Sequence, residues 1–121
     1  MDAFDELHAI SPQILAEGWL ARVVHGERLT VAVVEAEPRA VLPEHRHHNE
    51  QFGMVIEGSV IFRIDEEERT IGAGGIWRIP SDTPHAVTAG EEGAVVIDIF
   101  SPPREDWTAR EQLTPRRPVW P

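Results

Sequence analysis

Residues 43–53 read Pro43-Glu44-His45-Arg46-His47-His48-Asn49-Glu50-Gln51-Phe52-Gly53, and a further histidine, His85, follows the turn Pro80-Ser81-Asp82-Thr83-Pro84. Side chains on a strand alternate between its faces, so His45 and His47 are expected to project from one face, close enough for two imidazoles to share one divalent ion. On the same parity Gln51, Gly53 and Val55 face one way, with Gly53 leaving room near the ion, and Glu50 and His48 face the other. Gln51 is therefore the expected inward residue in preference to Glu50, and His48 is expected to be exposed. His8 and His25 have no partners in the sequence and read as ordinary surface or packing histidines. Taken alone, a histidine pair on a strand can be a surface accident and Pro-x₃-Pro-His only a turn. The order and spacing of the whole set favour a metal site.

Around this stretch the chain is an ordinary one-domain length of 121 residues, 41% hydrophobic, enough to bury a core without covalent staples. It has no cysteine, which excludes disulfides, thiolate metal sites and a cysteine nucleophile. All eleven basic residues are arginine, which excludes lysine Schiff-base chemistry. A net charge of −10, from 21 acidic against 11 basic side chains, opposes phosphate backbones and anionic lipid, so neither nucleic acid nor membrane is an expected partner. The apolar runs are too short to span a bilayer, and the first fifteen residues carry Asp2, Asp5 and Glu6 with no basic leader region. A cytoplasmic location is the expectation.

Short runs rich in Val, Ile and Phe, at roughly 19–25, 29–36, 39–42, 51–57, 59–64, 69–71, 76–79, 85–89 and 94–100, are separated by Gly, Pro and acidic residues. They predict an all-β barrel or sandwich with its core at about 19–101. Glu57-Gly58 reads as a tight turn between two strands, Asp65–Glu68 as a solvated hairpin end, and Ala73-Gly74-Gly75 and Gly90-Glu91-Glu92-Gly93 as loops. An extended N-terminal segment precedes the barrel. The tail 102–121, with five prolines and a helical turn near 105–112, is expected to wrap the barrel or a partner subunit. Trp19, Trp77, Trp107 and Trp120 read as filling the core or a dimer interface.

His45-x-His47-x₃-Gln51-x₆-Gly58 followed by Gly75-x₄-Pro80-x₃-Pro84-His85 resembles the two motifs of the cupin superfamily over roughly residues 39–100. The resemblance implies a single-domain jelly-roll β-barrel over residues 1–121. It also implies that His45, His47 and His85, with Gln51 as fourth ligand, hold one divalent transition metal (nickel, zinc, manganese, iron or cobalt) inside the barrel. Three neutral imidazoles and a neutral amide leave the full 2+ charge on such an ion, which suits anionic, oxygen-rich ligands. Small cupins often dimerise, so a homodimer is expected.

A second constellation closes the last run: Asp98-x-Phe100-x₃-Arg104. An aspartate in an apolar strand is costly to bury unless paired or functional. One reading is a structural salt bridge from Asp98 to Arg104 or Arg78. The other comes from a further resemblance, to the KdgF-type cupins of uronate catabolism, where an aspartate, a phenylalanine and an arginine line the pocket near the metal. It implies that Asp98, Phe100 and Arg104 are catalytic and that the partner is a small anionic sugar acid, a 4,5-unsaturated uronate opened to its linear keto acid. An iron-dependent dioxygenase and a non-catalytic binding module are the competing expectations, because the barrel alone does not choose a function.

Overall fold

The structure is a computed structural model, and it describes residues 3–121. Eight strands run β1 (Gln13–Ala16), β2 (Trp19–His25), β3 (Thr30–Ala36), β4 (Val41–His45), β5 (Glu50–Ile64), β6 (Glu67–Gly72), β7 (Ile76–Ile79) and β8 (His85–Ser101), with one-turn 3-10 helices at Leu7–Ala9 and Glu105–Trp107. All pairings are antiparallel, in the order β1-β2-β3-β8-β5-β6, with β4 added to β8 and β7 to β5. Two long strands organise the rest. The C-terminal half of β8 pairs β3 and the first half of β5, while its N-terminal half pairs β4 and the second half of β5. Both strands thus belong to both walls of the barrel, whose interior is filled by Trp19, Val34, Val55, Val60, Phe62 and Trp77 among others. β3 shows the strict alternation of buried and half-buried residues that a strand with one face on a core requires.

Three local expectations are corrected. Glu57-Gly58 is no turn: β5 runs through it, with Gly58 at φ +78° and register shifts on either side, so a bulge bends the strand from one wall to the other. Opposite it, Gly90–Gly93 is an extra arc within β8, and Gly93 takes φ +80°. The close approach of the two strands explains why glycine is used, since a Cβ on Gly58 would collide with the carbonyl oxygen of Gly93. Finally, the N-terminal segment contributes β1, paired to β2 through the two-residue turn Glu17-Gly18. Its single short apolar run, Ile14-Leu15-Ala16, has no alternation to announce it.

The proline-rich tail wraps its own barrel. Leu113 N–H donates to Pro12 O at 2.7 Å, and Gln112 bridges Gln13. Arg22, 1% exposed, pairs with Glu35 at 3.2 Å and donates to the Arg116 carbonyl at 3.0 Å. The helical turn expected near 105–112 is only the three residues Glu105–Trp107. Trp19, Trp77 and Trp107 are buried and Trp120 is half-buried. Among the described residues, no helix is long and apolar enough to cross a membrane.

Candidate metal centre and its pocket

β4 ends at His45, directly across from His85 at the start of β8. His47 lies beyond the strand end, in the loop to β5, so the pair meets by a bend rather than by the strand alternation the sequence suggests. The outcome is still convergence. Ring centroids are 4.2 Å apart for His45 and His85, 5.0 Å for His47 and His85, and 5.9 Å for His45 and His47. One nitrogen from each ring lies within 4.8 Å of the others.

The hydrogen bonds decide which nitrogens these are. Each Nδ1 sits beside a backbone carbonyl: His45 with Pro43 O at 2.8 Å, His47 with Asn49 O at 3.0 Å and His85 with Thr83 O at 2.8 Å. A carbonyl only accepts, so in the neutral imidazole Nδ1 carries the proton and Nε2 keeps its lone pair. His85 Nε2 is buried and has no hydrogen-bond partner among the described residues. His47 Nε2 faces Gln51 Oε1 at 3.1 Å, and the Gln51 amide nitrogen is turned away to donate to Asp98 Oδ1 at 2.9 Å. Two lone-pair atoms face one another, and a third has no donor. That arrangement fits a cation shared by the three rings and the amide oxygen, with the backbone carbonyls fixing the ring orientations. Gln51 is buried, while Glu50 and His48 are exposed.

Burial pushes the His85 imidazole down to about 4, and burial followed by the Arg104 charge lowers His47 as well. Both rings therefore stay neutral, and able to ligate, below the ordinary imidazole range.

Asp98 lies on β8 opposite Gly53, and Trp77 on β7 lies on the other side of that glycine. With no side chain between them, the indole N–H reaches across β5 and donates to Asp98 Oδ1 at 2.9 Å. A Cβ on Gly53 would meet both the indole and the carboxylate. The space at Gly53 is thus taken by this hydrogen bond rather than left for the ion. Asp98 forms no salt bridge among the described residues: Arg78 is exposed on the outer face, and Arg104 pairs with Asp106 at 2.9 Å. Desolvation raises the Asp98 carboxyl to about 6, against the pull of the Gln51 and Trp77 hydrogen bonds and the Arg104 charge.

Phe100 packs 5.6 Å from His47, and the Arg104 guanidinium lies over it at 4.8 Å. His45, Gln51, His85, Asp98, Phe100 and Arg104 all line one internal cavity of about 40 Å³. Two further residues shape the site without a motif to signal them. Trp77 was legible only as core, because its register against Asp98 depends on three strands. Asn49, 1% exposed, donates to the carbonyls of Pro102 and Pro103 and so ties the histidine loop to the segment carrying Arg104.

The cupin domain model matches residues 32–100. Among characterised proteins, the chain is 30% identical over 86 residues to the pectin degradation protein KdgF of Dickeya dadantii, covering 70% of this chain and 78% of that protein. It is 32% identical over 79 residues to the oxalate decarboxylase OxdC of Bacillus subtilis, but spans only 20% of that longer protein. The structure of KdgF from a Halomonas species superposes with a TM-score of 0.81 at 28% identity, over 88% of this chain and 99% of that one. An RmlC-like cupin from Shewanella frigidimarina superposes with a TM-score of 0.82 at 22% identity, which speaks to the fold alone. The match takes in β4, the His47 loop, β5 and nearly all of β8, the segments that carry His45, His47, Gln51 and His85, and on that ground this chain belongs to the cupin family as a KdgF-like member.

Proposed function

We propose that the chain is a metal-dependent enzyme that opens the ring of a 4,5-unsaturated uronate and delivers the linear keto acid. The observation that carries this reading is the placement of Asp98, Phe100 and Arg104 around one cavity with His45, His85 and Gln51, and of His47 against Phe100 in the same histidine cluster. The likeness to a pectin degradation protein supports it. The reaction is an isomerisation that needs no oxidant: the C1 hydroxyl loses a proton, the bond from C1 to the ring oxygen breaks to leave an aldehyde and an enolate, and one proton is added at C4 as the enolate collapses to the ketone. A divalent ion bound to the three imidazoles and the amide supplies Lewis-acid stabilisation of negative charge on a substrate oxygen.

The chain's own residues account for the rest. A carboxyl raised to about 6 exchanges protons near neutral pH in both directions, the property a group must have to take a proton from oxygen and return one to carbon. The Gln51 and Trp77 donors fix Asp98 Oδ1, leaving Oδ2 without a protein donor among the described residues. Arg104 offers a two-point clamp for the substrate carboxylate, and Phe100 an apolar wall for the ring.

The test is elemental analysis and a uronate ring-opening assay on the chain and two variants. His47→Ala is expected to lose both metal and turnover. Asp98→Asn is expected to keep the metal and lose about 10²- to 10⁴-fold in rate. An unimpaired Asp98→Asn sinks the proton-transfer role, and metal without any turnover moves the chain toward a binding module or, with oxygen uptake, a dioxygenase.

A further inference from the structure

The Arg104 guanidinium already holds a carboxylate. Its Nε donates to Asp106 Oδ1 at 3.0 Å and one terminal nitrogen donates to Asp106 Oδ2 at 2.9 Å, the two-point geometry an arginine fork offers any carboxylate. The partner is two residues away, on the one-turn helix Glu105–Trp107. It is 60% exposed, whereas Arg104 is 8% exposed. A carboxylate that served only to neutralise a buried arginine is expected to be buried with it. Asp106 instead reaches the buried fork from a side chain that is itself open to solvent, and so can be exchanged for a dissolved carboxylate.

The same segment helps to close the cavity. The guanidinium carbon lies 4.0 Å from the Trp107 ring centroid and 4.8 Å from that of Phe100, and both Arg104 and Trp107 form part of the cavity wall. At about 40 Å³ the cavity admits an ion with a water but no sugar ring, since sites that enclose small molecules run to roughly 300–1,000 Å³. A filled fork and a shut cavity are two observations of one state.

We propose that Asp106 is an internal stand-in for the substrate carboxylate, occupying the Arg104 fork and holding the Arg104–Trp107 segment closed until a ligand carboxylate takes its place. The uronate reading above supplies the identity of that ligand. The exchange itself requires only a carboxylate, and no covalent bond is made or broken.

The experiment is an acetate titration of the zinc-loaded full chain, followed at the Arg104 Nε resonance by nitrogen NMR, beside the uronate assay. In Asp106→Asn the acetate dissociation constant is expected to fall about two- to fivefold, the range set by an exposed ion pair, with kcat/KM for the uronate rising to match. In an Arg104→Lys background, where the Arg104 Nε signal is gone and acetate binding is followed by calorimetry in both proteins, the same change is expected to leave acetate binding unaltered. Acetate binding that is unchanged or weaker in Asp106→Asn overturns the proposal, because Asp106 then serves to orient Arg104. Tighter acetate binding with no uronate turnover by the unaltered chain keeps the stand-in and removes the uronate reading. Turnover with an unmoved acetate constant does the reverse.

Discussion

His85 and Asp98 are displaced in opposite directions by the same burial, and the consequence appears in acid. With the metal chelated, His85 contributes stability above its ordinary value of 6.5 that is lost as pH falls through about 4. Asp98, raised to about 6, contributes stability below its ordinary 3.8 that is lost as pH rises through about 6. Between pH 4 and 6 the two slopes oppose one another. Asp98→Asn removes one of them, so the chelated variant is expected to lose about 3 kcal/mol more than the unaltered chain between pH 6.5 and 4, on about 1.4 kcal/mol per pKa unit. Urea unfolding at stepped pH measures this, and parallel profiles for the two proteins would refute it. The neighbouring Gln51 enters the same balance: a glutamate there would set a second carboxylate against Asp98 Oδ1 at the present 2.9 Å, where like charges cannot both ionise cheaply.

At the level of strands, the informative positions are the glycines where β5 and β8 bend. Gly58 and Gly74 both take positive φ, +78° and +87°, but a Cβ at Gly58 meets the Gly93 backbone while one at Gly74 meets nothing within 4 Å. Gly74→Ala is therefore expected to cost about 1 kcal/mol from backbone conformation alone, and Gly58→Ala about 2 kcal/mol or more beyond that. Equal melting temperatures for the two variants would contradict the bulge as the pivot between the walls. These same positions mark where the sequence stopped being readable. Apolar alternation and motif spacing revealed most strands and brought His45, His47, Gln51, His85 and Asp98 into view, because each of those signals is carried by its own short stretch: the pair and its carboxamide within 45–51, the turn before His85, and the apolar run around Asp98. Whether a glycine ends a strand or bends it depends on the strand opposite, as Gly93 does for Gly58. The Trp77 bond to Asp98 needed three strands in register, and the Arg104 fork turned to Asp106 rather than Asp98 because the tail places a carboxylate two residues away. None of these is a local property of the chain.

Across the whole molecule, the outer face of the β2-β3-β8-β5-β7 wall carries Val24, Phe52, Met54, Ile76 and Ile99 at 37% exposure or more, in adjoining register rows. No carboxylate interrupts these five positions in a chain that is otherwise strongly acidic. The expected homodimer is proposed to form by packing two such faces, with exposed Arg78 and Glu50 at the rim supplying opposite charges. Sedimentation equilibrium is expected to give twice the chain mass, and Met54→Arg to halve it. A monomeric unaltered chain retires the idea.

The two long strands have one more implication. β5 carries Gln51 at one end and pairs β6 at the other, while β8 begins with His85, ends beside Asp98 and Phe100, and spans both walls. No single hairpin holds the complete set of named donors, so they assemble only when β4, β5 and β8 are all in register. Occupancy of the centre and global folding are then one cooperative event, and an ion present at a hundredfold over its dissociation constant adds about 2.7 kcal/mol to unfolding. That protection should spread over the slowest-exchanging amides of every strand alike, making the metal a clamp on the cooperative unit rather than a local rivet.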